Sequence, residues 1–136
     1  MPDSPARLAA VLASGEPQRL YSGLSVLVST AADRERCAGL ATFRGLELLL
    51  AEDLVRRAAE PDATPELTWA GRETFADSLV QLVTTAQELE FLSLYACSAS
   101  LSTMGLTESD ITPQLDGVMS TPRFLREFEG AQLLFV

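Results

Sequence analysis

The chain has 136 residues, 47% of them hydrophobic and 21% charged, and ten basic against nineteen acidic side chains leave a net charge of −9. That length is one domain of ordinary size, and the acidic balance removes the attraction to phosphate backbones that drives nucleic-acid binding. There is no histidine and no lysine, which excludes His-dependent triads, most zinc sites and Lys chemistry, and no apolar run approaches the ~18 residues of a membrane span.

Residues 1–5 (M-P-D-S-P) lack a basic leader followed by an apolar stretch, so the expected location is the cytoplasm. Ser4 and Pro5 look like the cap and first position of a short helix ending before Ser14-Gly15, an N-terminal helical extension at about 4–14. Residues 24–29 (L-S-V-L-V-S) are short and rich in aliphatic side chains, which predicts the first strand. From Asp33 the apolar positions Cys37, Leu40, Ala41, Leu46, Leu49, Leu50 and Leu54 share one broad helical face, predicting a helix to about Ala59. Gly39 and Gly45 each weaken such a helix by roughly 1 kcal/mol, so a break near Gly45 with residues 46–50 as a strand is the alternative.

Pro61 and Pro65 stop that segment, and residues 66–70 suit a short second strand. Phe75, Leu79, Leu82, Val83 and Ala86 have helical spacing over 73–88. Residues 91–96 (F-L-S-L-Y-A) predict a strand buried on both faces, followed by a helical turn or two before Gly105. Thr121-Pro122 opens another helix that Gly130 stops, and residues 131–136 form a last strand, expected inside the sheet. Strands alternating with helices predict an α/β fold, a mainly parallel sheet of about four strands with helices on both faces.

In such sheets the reacting group lies beyond the carboxyl ends of the strands, where helix N-termini point. Cys97 stands there, between a strand and a turn of helix, and free N–H groups of Ser98, Ala99 and Ser100 would stabilise its thiolate or a bound anion. The alternative is a packed, inert thiol, because cysteine is among the most buried residue types. Cys37 falls on the apolar stripe of the long helix and is read as packing. With two cysteines 60 positions apart, a disulfide framework is not expected.

Other candidates carry less. Ser98, Ser100 and Ser102 could line a hydroxyl pocket but have no base to activate them, and Glu108 with Asp110 reads as a solvated turn. Asp33, expected at the same sheet edge as Cys97, is explained by capping. No phosphate-binding glycine loop occurs, so neither cofactor nor metal is called for. No obvious Arg and Thr pairing of the kind expected around a peroxidatic thiol is seen in the sequence, which disfavours peroxide reduction.

The segment Ala96-Cys97-Ser98-Ala99-Ser100, with Met104-Gly105-Leu106 and the acidic turn Thr107-Glu108-Ser109-Asp110, resembles the DsrE/DsrF-like sulfur-relay family, whose pattern is A-C-x-x-S, then M-G-[LI] and an acidic turn. The likeness continues through Gly117-Val118, Phe124-Leu125 and Leu133-Leu134-Phe135-Val136, about the last third of the chain. Upstream, Ser29 and Asp33-Arg34 look loosely like the family's first strand and helix, while the stretch before Glu73 is compressed relative to it. The resemblance implies a flavodoxin-like domain that assembles into homo- or hetero-oligomers, commonly dimers, trimers or hexamers. It also implies that Cys97 accepts a sulfane sulfur as a persulfide from a small sulfur donor and hands it to an acceptor protein.

Overall fold

Five parallel strands form one sheet in the order β4-β3-β2-β1-β5 in the computed structural model, which describes residues 5–136. The elements run β1 (Leu8–Leu12), α1 (Pro17–Ala32), β2 (Cys37–Ala41), α2 (Phe43–Leu50), α3 (Leu54–Ala59), α4 (Trp69–Glu88), β3 (Leu92–Cys97), α5 (Ser98–Thr103), α6 (Glu108–Ile111), β4 (Gly117–Met119), α7 (Thr121–Glu127) and β5 (Gln132–Phe135). The α/β class and the parallel sheet are as expected, with five strands instead of four.

The first half of the chain departs from the sequence reading. Residues 8–12 are an interior strand instead of the expected N-terminal helix, of which Ser4 lies outside the described residues. Alanine-rich residues 8–12 have good helix propensity, but with neighbours hydrogen-bonded on both sides they bury small side chains against both faces, and burial outweighs a propensity worth a few tenths of a kcal/mol per residue. Residues 24–29, expected as the first strand, lie inside α1, where Leu20, Leu24, Leu27 and Ala31 form a buried i, i+4, i+7, i+11 stripe longer than the six-residue window that suggested a strand.

The expected helix over 33–59 is three elements. Arg34, in the left-handed region at φ 63°, ends α1, and Arg34 and Glu35 donate their N–H groups back to Ala31 and Thr30. Residues 37–41 then run straight into the sheet as β2, and the chain breaks at Thr42, ahead of Gly45. Residues 46–50 are helical, not a strand. Nor is 66–70 a strand: the Thr68 hydroxyl accepts from the Gly71 N–H and caps α4, which starts at Trp69 and covers the helix expected over 73–88.

The second half matches more closely. The helix opened by Thr121-Pro122 and the strands over 91–96 and 131–136 are present as α7, β3 and β5. The three-residue β4 was too short to show in the pattern. β5 pairs only with β1 and so lies at the sheet edge, not inside it.

The two faces of the sheet are covered unequally. The first face packs against a core in which Leu24 and Leu27 of α1, Leu46 of α2 and Leu79 of α4 are fully buried. The second face carries a smaller core of Ala9, Ala38, Leu40, Cys97 and Met119 under Phe124 of α7 and the nearby Phe128, whose rings meet at 4.9 Å. Strand alternation turns Leu94 and Ala96 to the first face and Tyr95 and Cys97 to the second.

Candidate functional site

Cys97 is the last residue of β3 and the N-cap of α5, still extended at φ −66° and ψ 126°. The thiol makes no capping hydrogen bond to the first turn of α5, but it lies close to that turn's N–H groups. The residue is 4% exposed. Burial pushes the thiol pKa up, but the Ser100 N–H, the Ser100 hydroxyl, the Thr121 hydroxyl and the Ala99 N–H together outweigh it and bring the thiol below its ordinary value near 9. The Thr121 Oγ1 stands 3.9 Å from the sulfur.

The Ala99 N–H and the N–H and hydroxyl of Ser100 are among the groups that draw the thiol pKa down. Ser98 is half-buried and is not among the groups that shift the thiol. A serine pocket is not formed, because Ser100 is fully buried while Ser102 is exposed.

Thr121 was not legible as a site residue. It reads as an ordinary helix start, and only the pairing of Cys97 with Met119 across β3 and β4 brings the next strand's exit alongside the sulfur. Its hydroxyl is half of the Arg and Thr pair a peroxidatic thiol needs. The groups that lower the Cys97 pKa are backbone N–H groups and hydroxyls.

A second element closes on the site from β2. The Phe43 N–H donates to the Ser100 Oγ at 2.9 Å, and Phe43 has a left-handed φ of 41°, an outlier for a bulky residue. Such a conformation persists only where its surroundings over-determine it. Here the Thr42 N–H donates to the Leu12 carbonyl, Phe43 is tied to Ser100, and Gly45 lies against the Leu12 carbonyl too closely for a side chain. The exits of β1, β2 and β3 are thereby joined around one buried hydroxyl.

Ser100→Ala removes one donor to the sulfur and leaves the Phe43 N–H unpaired. The pH midpoint of Cys97 alkylation should move upward by up to about one pH unit, slowing alkylation roughly tenfold at a pH well below the midpoint. A midpoint unchanged from wild type would remove Ser100 from the account.

The remaining candidates lie elsewhere. Asp33 caps the end of α1 and precedes β2, so it lies at the amino ends of the strands, away from Cys97 at their carboxyl ends; the expectation that they share one end followed from reading 24–29 as a strand. Asp110 accepts from the Thr107 N–H at 2.8 Å and caps α6, a turn signal rather than half of a carboxylate pair.

Cys37 opens β2 instead of sitting on a helix, and faces the first core at 1% exposure, with its thiol on the Leu27 carbonyl at 3.3 Å. Burial pushes its pKa up to about 11, against a smaller opposing contribution from the Ala31 backbone. Because the folded value lies above the unfolded value near 9, the stability associated with the neutral buried thiol is complete below pH 9 and is lost as pH rises through about 11. Unfolding by denaturant at pH 8 and pH 11 should therefore show wild type losing roughly 2–3 kcal/mol more than Cys37→Ala; equal losses would contradict this assignment.

A scan against protein-family models finds no match to this chain, and a search of curated proteins finds none either.

Proposed function

We propose that the chain is a sulfurtransferase-like sulfur carrier that holds a sulfane sulfur as a persulfide on Cys97, taking it from a small sulfur donor and passing it to an acceptor protein in the cytoplasm. The resemblance of the segment from Ala96 to Asp110 to the DsrE/DsrF-like family supplies the sulfur chemistry. The observation that carries the reading is the place of Cys97 at the junction of β3 and α5 with the Thr121 Oγ1 3.9 Å from its sulfur, where the neighbouring Ser100, Thr121 and Ala99 groups draw the thiol below its ordinary value. Thiol–persulfide exchange needs a thiolate and access, not a histidine base.

In the exchange, the Cys97 thiolate attacks the outer sulfur of a donor persulfide. Its electron pair forms the new S–S bond, the donor's S–S bond breaks, and that pair leaves on the donor sulfur as a thiolate. The sulfane sulfur keeps its oxidation state, so no external oxidant or reductant is required. Handing on to the acceptor repeats the step with the acceptor thiolate as nucleophile.

The test is incubation with a small persulfide donor followed by intact-mass measurement. Wild type should gain 32 Da per added sulfur, roughly the mass of one sulfur atom, and Cys97→Ser should gain none. Equal loading of the two would overturn the reading. A second reading, a non-catalytic oligomeric binding module with Cys97 as packing, is favoured by one observation, the 4% exposure of that residue. It predicts that Cys97 resists alkylation in the native state. Assembly of identical copies belongs to both readings.

A further inference from the structure

The sheet has two edges, and they are unequally protected. β4 closes one with three residues flanked by Asp116, whose carboxylate accepts from the Leu94 N–H at 2.7 Å. β5 closes the other with Gln132, Leu133, Leu134 and Phe135, and residues 130–136 carry no charge and no proline. Natural sheets guard edges with lysine, proline, charge or a bulge, and an unguarded apolar edge is a template for another strand.

The register shows which groups are free. The Gln132 N–H donates to the Arg7 carbonyl and the Val136 N–H to the Val11 carbonyl, so residues 132, 134 and 136 turn their backbone groups inward to β1. Leu133 and Phe135 turn theirs outward, where no described residue pairs with them. Their side chains are also exposed, at 53% and 77%, the second the largest exposure among the large hydrophobics.

We propose that β5 pairs antiparallel with β5 of a second copy of this chain about a two-fold axis through Leu134. The argument for a second copy is self-complementarity. In that register Leu133 of one copy faces Phe135 of its partner and the reverse, and each pair consists of two outward-turned residues that exchange two backbone hydrogen bonds. Leu134 faces its own mate on the opposite side of the sheet. The central opposed pairs are apolar and Gln132 faces Val136 beyond them, so each copy supplies the complement the other needs. Because residues 130–136 have no charged side chain, the seam brings no like-charged side chains together despite the net charge of −9 on each copy. The pairing extends a parallel sheet antiparallel across the axis. It does not depend on the chemistry of Cys97.

Leu133→Pro is the decisive variant, because proline removes an outward N–H and leaves the β1 ladder intact. Sedimentation over a concentration series should show wild type as a dimer, with the dissociation constant of Leu133→Pro raised roughly thirtyfold or more. Phe135→Lys should weaken the dimer in the same direction. On wild type, amide hydrogen exchange should show Leu133 and Phe135 protected in the dimer and unprotected on dilution, while Leu134 stays protected in both. A wild-type monomer at all concentrations, a dimer unaffected by both substitutions, or outward amides that exchange freely in the dimer would each overturn the proposal.

Discussion

Gly45→Ala is expected to destabilise the fold by about 3 kcal/mol or more, with a fall in melting temperature of roughly 10 °C. A Cβ on Gly45 would stand 2.0 Å from the Leu12 carbonyl oxygen and 2.7 Å from its carbon, and both are backbone atoms of an interior strand. No rotamer change relieves that overlap. Either β1 moves, disturbing its ladders to β2 and β5, or α2 withdraws, losing the Thr42 N–H bond to Leu12 and the Phe43 bond to Ser100. The gain of about 1 kcal/mol in helix propensity on going from glycine to alanine is too small to offset this. Urea unfolding read by circular dichroism decides it: a midpoint equal to or above that of wild type would show that the turn yields at no cost.

The second large effect concerns the two thiols. Under native conditions at pH 8 an alkylating reagent should label Cys97 and leave Cys37 unmodified, with a rate ratio of about a hundredfold or more. Cys97→Ser should abolish native labelling altogether. The thiolate fraction at pH 8 sets the lower bound, since Cys37 is pushed up to about 11 by burial while the donors around Cys97 hold it below 9. Access adds to this, for Cys37 lies under α1 in the larger core and Cys97 under α7 in the thinner one. Raising the pH toward 9 should speed the Cys97 reaction only until its midpoint is passed. Protection of both residues would favour the packed-thiol reading, and labelling of Cys37 in folded protein would refute its burial.

What could be read in advance divides along the chain. After Glu73 the local patterns and the tertiary environment agree: α4 carries a helical apolar period, β3 is a continuous apolar run, and Thr121-Pro122 with Gly130, at φ 88°, brackets α7. Before Glu73 they conflict. Alanine, glycine and leucine dominate residues 8–12 and 37–41, and those small residues suit an interior strand between close neighbours as well as they suit a helix. A short window over 24–29 is rich in aliphatic residues and reads as a strand, and only the longer stripe from Leu20 to Ala31 shows the helix.

The site divides similarly. Sequence alone determined that histidine and lysine chemistry is excluded, leaving Cys, carboxylate, Arg, Tyr and hydroxyl groups, and that Cys97 lies where a strand hands over to a helix, because the apolar run, the serines and the glycine that mark this junction are contiguous. Only the tertiary structure decided that Thr121 stands at the sulfur, that Phe43 clamps Ser100 from 57 positions away, that Cys37 lies in a strand, and that Phe135 is left on an unpaired edge. Each of those facts depends on which strands become neighbours. Strand neighbours are selected by long-range burial summed over both faces of the sheet, a quantity that no local window of residues contains.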